Sequence, residues 1–114
     1  LYLILGWERD KSENKTSKIE EKTVSNSPLA GNEPLILDVR SPGEYAGGFY
    51  PGAVNIPVDI IESKASELGD KSRDITLYCA SGARSSYALQ ILSSLGFTNL
   101  KNGGGIMTMM SSSR

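Results

Sequence analysis

Histidine is absent from the 114-residue chain, and this absence removes several kinds of catalytic mechanism. No Cys–His or Ser–His–Asp relay can form within the chain. A zinc site would have to be built from one cysteine and carboxylates, a donor set that zinc sites rarely use. Any nucleophile in this chain must therefore gain its reactivity from something other than a neighbouring histidine.

Cysteine is nearly as scarce, because Cys79 is the only one. A single cysteine cannot form an internal disulfide, so it is either a small buried hydrophobic residue or a reactive thiol. The cysteine count leaves the redox compartment open. It makes the surroundings of Cys79 the first place to look for chemistry.

An excess of charge and a long hydrophobic run are also lacking. The chain has 12 Lys and Arg against 13 Asp and Glu, with no basic patch, so we expect no nucleic-acid partner. The apolar run at residues 1–5 is far too short to cross a bilayer, and no membrane span is predicted. An apolar start without methionine, ahead of a polar arm, favours a periplasmic or membrane-tethered protein; a cytoplasmic one is the alternative.

The composition changes along the chain and indicates two parts. Residues 1–34 form a polar arm rich in Lys, Glu, Ser and Asn from residue 8 onward, typical of a tether or the remnant of a signal segment. Residues 35–114 have the apolar content and the length of one folded domain.

The pattern of residues 35–114 predicts an α/β fold with a small parallel sheet and helices on both faces. Apolar runs at residues 35–40, 53–57 and 74–79 read as strands, and residues 98–102 as a weak fourth strand. Helical spacing is present over residues 58–69 and 84–97. The glycines at residues 103–105 are expected to form a loop, and the tail from residue 106 is expected to be too short for a stable helix.

The stretch "CASGAR" places Cys79 where a strand gives way to a helix, which is where parallel α/β folds bind ligands. Small residues allow successive backbone N–H groups to form a concave nest that attracts anions. The helix N-terminus and the charge of Arg84 act in the same direction. These features favour the thiolate, so the sequence predicts a lowered pKa for Cys79 and a nucleophile that needs no histidine.

Four motifs in order carry a resemblance to a known family. "LILDVRSPGEY", "GGFYPGAVNIP", "CASGARS" and "LGFTNLKNGGG" resemble the signature segments of the rhodanese-like sulfurtransferases. The similarity runs from Leu35 to Gly105. The short end after the glycines resembles the small exported single-domain thiosulfate sulfurtransferases of the phage-shock type.

The resemblance implies a sulfurtransferase in which Cys79 carries a persulfide. The donor would be thiosulfate or a similar small sulfur anion, and the acceptor would be cyanide or a thiol. We expect no cofactor, no metal and a monomer. Substrate would be bound by Ala80, Ser81, Gly82, Ala83, Arg84 and Ser85. Structural support would come from Asp38, Arg40 and Glu44, with Arg40 pairing with acidic neighbours such as Glu44.

The chain departs from the family pattern at two places. Phe49 stands where the "GHIPGA" segment usually has histidine, a change expected to alter packing more than chemistry. The tryptophan and glycine that commonly follow the double glycine are replaced by "IMTMMSSSR".

Two other functions compete with sulfur transfer. Rhodanese-like domains also occur as inactive interaction or regulatory modules, although those often lack the cysteine that this chain keeps. Cysteine-dependent phosphatases and arsenate reductases use a similar loop, but the phosphatase loop has five residues between cysteine and arginine. Four residues separate Cys79 from Arg84, and the narrower nest suits a single sulfur atom.

Overall fold

The computed structural model describes residue 29 and residues 31–112 of the chain. Its strands are β1 (Leu35–Asp38), β2 (Val54–Asn55), β3 (Ile75–Cys79) and β4 (Leu100–Gly105). Its α-helices are α1 (Pro42–Ala46), α2 (Ile61–Lys64), α3 (Ala83–Ser94) and α4 (Ile106–Ser112). Short 3-10 turns at Val58–Ile60 and Ala65–Glu67 flank α2.

The four strands form one parallel sheet in the order β2–β1–β3–β4. The central strands β1 and β3 are buried along most of their length, which explains their continuous apolar sequences. Asp38 lies beside Tyr78 in the register, and Cys79 lies beside Gly105. The predicted α/β fold with a small parallel sheet and helices on both faces is confirmed.

Side chains of β3 alternate between the two faces of the sheet. Tyr78 packs in a cluster with Ala53 and Met109, which Ile36 and Ile106 extend. Ile75, Leu77 and Cys79 point to the opposite face, and all three are fully buried. The sheet therefore separates two apolar layers, with the cysteine in one and the tyrosine beside it in the other.

The helical segment predicted over residues 58–69 is less regular than its spacing indicates. It consists of a 3-10 turn, the single turn of α2 and a second 3-10 turn. Ile61, Ala65 and Leu68 are its buried residues, at intervals of four and three. Burial of this one stripe is compatible with both helix types, so the apolar spacing alone does not distinguish them.

The prediction of a loop at residues 103–105 was wrong, because these glycines belong to β4. Gly104 lies beside Tyr78 at a register shift and has a φ of +86°, a value that side chains rarely adopt. A Cβ at Gly103 would collide with Met109 Sδ. The glycines therefore allow a bulged edge strand to pair with β3 while α4 packs closely against it.

The tail was also predicted incorrectly, because residues 106–112 form α4. Met109 is buried against Tyr78 and Ala53, and Ile106 packs beside them. A helix of seven residues is unstable alone, so this tertiary packing supplies its stability. The apolar residues of the tail are visible in the sequence, but the surface of Tyr78 and Ala53 against which they pack is not.

Most of the polar arm predicted for residues 1–34 lies outside the described residues, and the division at residue 35 stays a prediction. Among residues 31–112, no helix is long and apolar enough to cross a membrane.

Candidate functional site

The candidate site lies at the carboxyl ends of the three neighbouring strands β1, β3 and β4. Asp38, Cys79 and Gly105 are the last residues of these strands. Parallel strands bring their carboxyl ends to one edge of the sheet, so the chain assembles the site there. The loop of residues 80–82 then leads directly into α3.

The sulfur of Cys79 is enclosed by hydrogen-bond donors. The N–H of Gly82 donates to Sγ over 2.9 Å, and the hydroxyl of Ser85 lies 3.6 Å from it. Burial raises the pKa of the thiol, but hydrogen bonds from the Ser85 hydroxyl and from backbone N–H groups of Ser85, Ser81 and Gly82 outweigh that effect. The net result is a pKa lowered to about 7. At neutral pH a large fraction of Cys79 is therefore thiolate.

Glycines allow the loop to wrap around the sulfur. Gly82 has a φ of +102° at the start of α3, which aims its N–H at Cys79. A Cβ on Gly105 would lie 2.5 Å from the carbonyl oxygen of Ala80. The edge strand and the loop can approach this closely only because no side chain stands between them.

Arg84 forms a two-pronged ion pair with Glu44 at the rim of the loop. The Nη1–Oε1 and Nη2–Oε2 distances are 2.8 Å and 3.0 Å. The Glu44 carboxylate also accepts from the N–H of Ser41 and closes the capping box that starts α1. The hydrogen bonds from Arg84, and then those from Ser41, lower the pKa of Glu44 to about 2. The positive charge of Arg84 at the rim is therefore neutralised by the carboxylate of Glu44.

Arg40 pairs with an acidic neighbour, as expected, but that neighbour is Asp38 at the end of β1 and not Glu44. This ion pair is buried, with an Nη2–Oδ2 distance of 2.7 Å. The same nitrogen donates to the carbonyl oxygen of Gly48 over 2.6 Å. Because Asp38 is only two residues from Arg40, the backbone itself holds the partners together, and Glu44 is left to Arg84.

Tyr78 completes this buried network. Its hydroxyl donates to Asp38 Oδ2 over 2.7 Å and accepts from the N–H of Tyr50 over 2.9 Å. Burial, together with the hydrogen bond to Asp38, raises the pKa of Tyr78 to about 12. The network ties the ends of β1 and β3 to the segment before β2. These contacts hold in place the strand ends from which the Cys79 loop starts.

The remaining predicted residues lie around the loop mouth. Ala80, Ser81 and Ala83 are exposed, so the small side chains leave the entrance open. Phe49 is 45% exposed and stacks on Tyr45 with ring centroids 4.1 Å apart.

A groove of about 560 Å³ is lined by Glu44, the partner of Arg84, and by Phe49. Ile106, Met107 and Met110 of the tail also line it. The tail that departs from the family pattern therefore forms a wall of this groove.

Two residues that the sequence did not single out contact the predicted group. Tyr78 was assigned only to an apolar strand, and Asn102 only to the weak fourth strand. Asn102 accepts a hydrogen bond from the Ser85 hydroxyl over 2.7 Å and donates to the carbonyl oxygen of Gly82 over 3.2 Å. Asn102 stands directly before Gly103–Gly105, and such a run of glycines is typical of a strand that another backbone approaches closely. That position was the one feature of the sequence that could have indicated a role for Asn102.

This geometry bears on both interpretations of the cysteine. Cys79 has no solvent-exposed surface, as a structural cysteine also would not. A merely structural cysteine, however, requires no converging donors, whereas this sulfur faces a hydroxyl and several backbone N–H groups. Such an arrangement stabilises negative charge on sulfur.

Known proteins with similar sequences share this fold and identify the family. The model of the family described as Rhodanese-like domain matches residues 22–106. A sulfurtransferase from Allochromatium vinosum is 35% identical over 92 residues, which cover 80% of this chain and 85% of that protein. The thiosulfate sulfurtransferase PspE from Escherichia coli is 38% identical over 71 residues, covering 61% and 68%.

Solved structures of rhodaneses and sulfurtransferases are also similar to this chain. A rhodanese from Escherichia coli solved with anions has a TM-score of 0.63 and 34% identity, covering 66% of this chain and 89% of that one. A human single-domain sulfurtransferase has a TM-score of 0.61 and 28% identity, covering 83% and 93%.

Proposed function

Because this chain belongs to the rhodanese-like domain family, we propose that it is a sulfurtransferase that carries sulfane sulfur as a persulfide on Cys79. The observation that supports this most directly is the set of donors around the sulfur, led by the N–H of Gly82 at 2.9 Å. These donors lower the thiol pKa to about 7, which supplies a nucleophile at neutral pH in a chain without histidine.

The first half-reaction loads the cysteine. The Cys79 thiolate attacks the outer sulfur of thiosulfate, a new S–S bond forms, and the bond between the two thiosulfate sulfurs breaks. Sulfite leaves with the electron pair of that bond, and the outer sulfur remains as an anionic persulfide. The loop N–H groups favour this negative charge, as they favour the thiolate that precedes it.

The second half-reaction unloads the cysteine. Cyanide, or the thiolate of an acceptor, attacks the outer sulfur of the persulfide, and the S–S bond to Cys79 breaks. The electron pair returns to Cys79 as thiolate, and the product is thiocyanate or an acceptor persulfide. The low thiol pKa assists here too, because a more stable thiolate is a better leaving group.

Thiosulfate is the donor that we propose, on two grounds. Two similar proteins are named thiosulfate sulfurtransferase, from Escherichia coli, and thiosulfate:glutathione sulfurtransferase, from Homo sapiens. Arg84 also interacts with the sulfur: the hydrogen bond and charge of Glu44, and after them those of the Cys79 thiolate, raise the pKa of Arg84. A small dianion at the sulfur would therefore meet a guanidinium whose charge is partly offset by Glu44.

The test is cyanide-dependent formation of thiocyanate from thiosulfate by the purified protein. We expect steady turnover by the wild type and none by Cys79→Ser. The variant Ser63→Ala is a matched control, since this exposed hydroxyl donates to the carbonyl oxygen of Ile60 in its own helix turn. Turnover that survives in Cys79→Ser would contradict the proposal. A folded wild type inactive with thiosulfate, polysulfide and glutathione persulfide would instead favour an interaction module.

A further inference from the structure

The hydroxyl of Ser85 has one proton and three acceptors within reach. Its oxygen lies 2.7 Å from Asn102 Oδ1, 3.1 Å from the carbonyl oxygen of Gly82 and 3.6 Å from Cys79 Sγ. Ser85 is fully buried, so its hydroxyl has no access to bulk water. A hydroxyl donates one hydrogen bond at a time, so these three acceptors compete for one proton.

The orientation of the Asn102 amide follows from its neighbours. The backbone N–H of Gly104, a donor, lies 2.9 Å from one amide atom, which must be the oxygen. The other amide atom lies 3.2 Å from the carbonyl oxygen of Gly82 and must be the nitrogen. The oxygen of Asn102 is thus held in place and offers Ser85 its shortest acceptor.

We propose that Asn102 is a positioning residue that competes with the Cys79 sulfur for the hydroxyl proton of Ser85. When Cys79 is a neutral thiol, the Ser85 hydroxyl donates to Asn102. When Cys79 becomes a thiolate, the hydroxyl rotates to the charged sulfur, because hydrogen bonds to ions are about twice as strong as neutral ones. That rotation sacrifices the bond to Asn102, so Asn102 makes the thiolate less stable than it would otherwise be.

The consequence for catalysis rests on the proposed function. In the persulfide the negative charge lies on the outer sulfur, so Sγ attracts the hydroxyl less and Ser85 can return to Asn102. Asn102 therefore favours the sulfur-loaded protein over the free thiolate. It makes the thiolate a stronger nucleophile for loading and a poorer leaving group for unloading. No proton leaves Ser85 in either step.

The charged groups around Cys79 are paired, so they do not obscure the effect of Asn102 on the stability of the thiolate. On α3 the charge is Arg84, which is paired with Glu44 of α1. On β1 it is Asp38, which is paired with Arg40, and Tyr78 beside Cys79 stays protonated well above neutral pH. On β4 Lys101 is paired with Asp74, and α4 carries no ionisable side chain. Replacing Asn102 or Ser85 with alanine removes no charge.

The experiment is a double-mutant cycle on the pKa of Cys79 in the full chain. The thiolate is followed by its ultraviolet absorbance as pH rises, and with one cysteine and no histidine the signal near neutrality belongs to Cys79. Asn102→Ala should lower the thiol pKa by about half a unit to one unit, and Ser85→Ala should raise it by a similar amount. In the Ser85→Ala background, Asn102→Ala should have no effect.

The double-mutant cycle distinguishes a positioning role of Asn102, acting through Ser85, from a role in maintaining the fold. Asn102 is exposed, so its replacement should leave the fold intact, and circular dichroism checks this. Asn99→Ala, an exposed asparagine bonded to the carbonyl oxygen of Ser72, is the matched control and should not shift the pKa. A shift of the same size in both backgrounds, a raised pKa in Asn102→Ala, or no shift would each overturn the proposal. Because the titration needs no sulfur donor, its result is independent of whether the protein transfers sulfur.

Discussion

At the scale of single residues, the lowered pKa of Cys79 comes from neutral hydrogen-bond donors rather than from a paired base. The hydroxyl of Ser85 and backbone N–H groups of Ser81, Gly82 and Ser85 outweigh the burial that would raise the thiol pKa. Arg84 at the rim donates two of its five guanidinium N–H groups to Glu44, which offsets its charge. The site therefore combines strong local stabilisation of sulfur with a rim of little net charge, and Glu44 controls how much positive charge an incoming anion meets.

The role of Glu44 leads to a prediction about charge selectivity. Glu44→Gln keeps the shape of the side chain but removes its charge, so the rim gains one positive charge. We expect the rate of Cys79 alkylation by iodoacetate, relative to neutral iodoacetamide, to rise about two- to fivefold at low salt. High salt should reduce this change, because the charge lies near the surface.

Asp74→Asn is the control for Glu44→Gln, because it removes one negative charge at the other end of β3, where Asp74 pairs with Lys101. The ratio of alkylation rates should stay near the wild-type value in this variant. An equal change in both variants would mean that total charge, and not Glu44 itself, sets the selectivity.

At the scale of elements, the site depends on how closely β4 approaches the loop after β3. Gly105 allows this approach, since a Cβ there would lie 2.5 Å from the carbonyl oxygen of Ala80. The contact is between backbones, so a rotating side chain cannot relieve it. The edge strand therefore shapes the donor nest although it contributes no donor to the sulfur.

Gly105→Ala should consequently lower the stability of the fold and raise the pKa of the Cys79 thiol. We expect a loss of about 1 to 3 kcal/mol in the free energy of unfolding, typical of overpacking, because the loop must move. The displaced N–H groups should also let the pKa of Cys79 rise. Chemical denaturation and thiol titration measure the two effects.

Gly43→Ala is the matched control, because a Cβ there meets nothing within 4 Å on the exposed surface of α1. It should leave the thiol pKa unchanged. A Gly105→Ala protein with wild-type stability and wild-type thiol pKa would show that the loop tolerates the added methyl group.

Elements also show which features can be predicted from sequence. Strands β1 and β3 are recognisable because their apolar runs are local and are buried on both sides. The helical state of the tail and the strand state of the glycines depend on pairing with β3 and on the packing of Met109. Both are contacts with residues distant in the sequence.

The same limit applies within the candidate site. The loop around Cys79 is one continuous stretch, and its small residues, glycine and arginine indicated an anion nest. The Arg84–Glu44 and Tyr78–Asp38 contacts each span 40 residues, and the Ser85–Asn102 contact spans 17. Such partners become visible only when the sheet brings the strand ends together.

At the scale of the whole molecule, the lowered thiol pKa links the stability of the fold to pH. The pKa of Cys79 falls from an ordinary value of 9.0 to about 7 in the folded protein. Between these values the unfolded chain binds more protons than the folded one, so stability must rise with pH. Cys79 contributes this stability fully above the unfolded pKa and loses it as pH falls through the folded pKa.

We therefore expect the free energy of unfolding of the wild type to gain about 2 kcal/mol relative to Cys79→Ala between about pH 6 and about pH 9. Urea denaturation in the presence of a non-thiol reductant at several pH values measures the difference. Parallel pH profiles of the two proteins would mean that the fold does not favour the thiolate.

If Cys79 carries sulfur, the intact mass of the protein must change when the sulfur is loaded. Wild type and Cys79→Ser are incubated with thiosulfate, and their masses are measured before and after cyanide is added. We expect a gain of one sulfur atom on the wild type alone, reversed by cyanide as thiocyanate forms. A folded wild type that gains no sulfur from thiosulfate or polysulfide, or a Cys79→Ser protein that gains it equally, would mean that Cys79 is not the sulfur carrier.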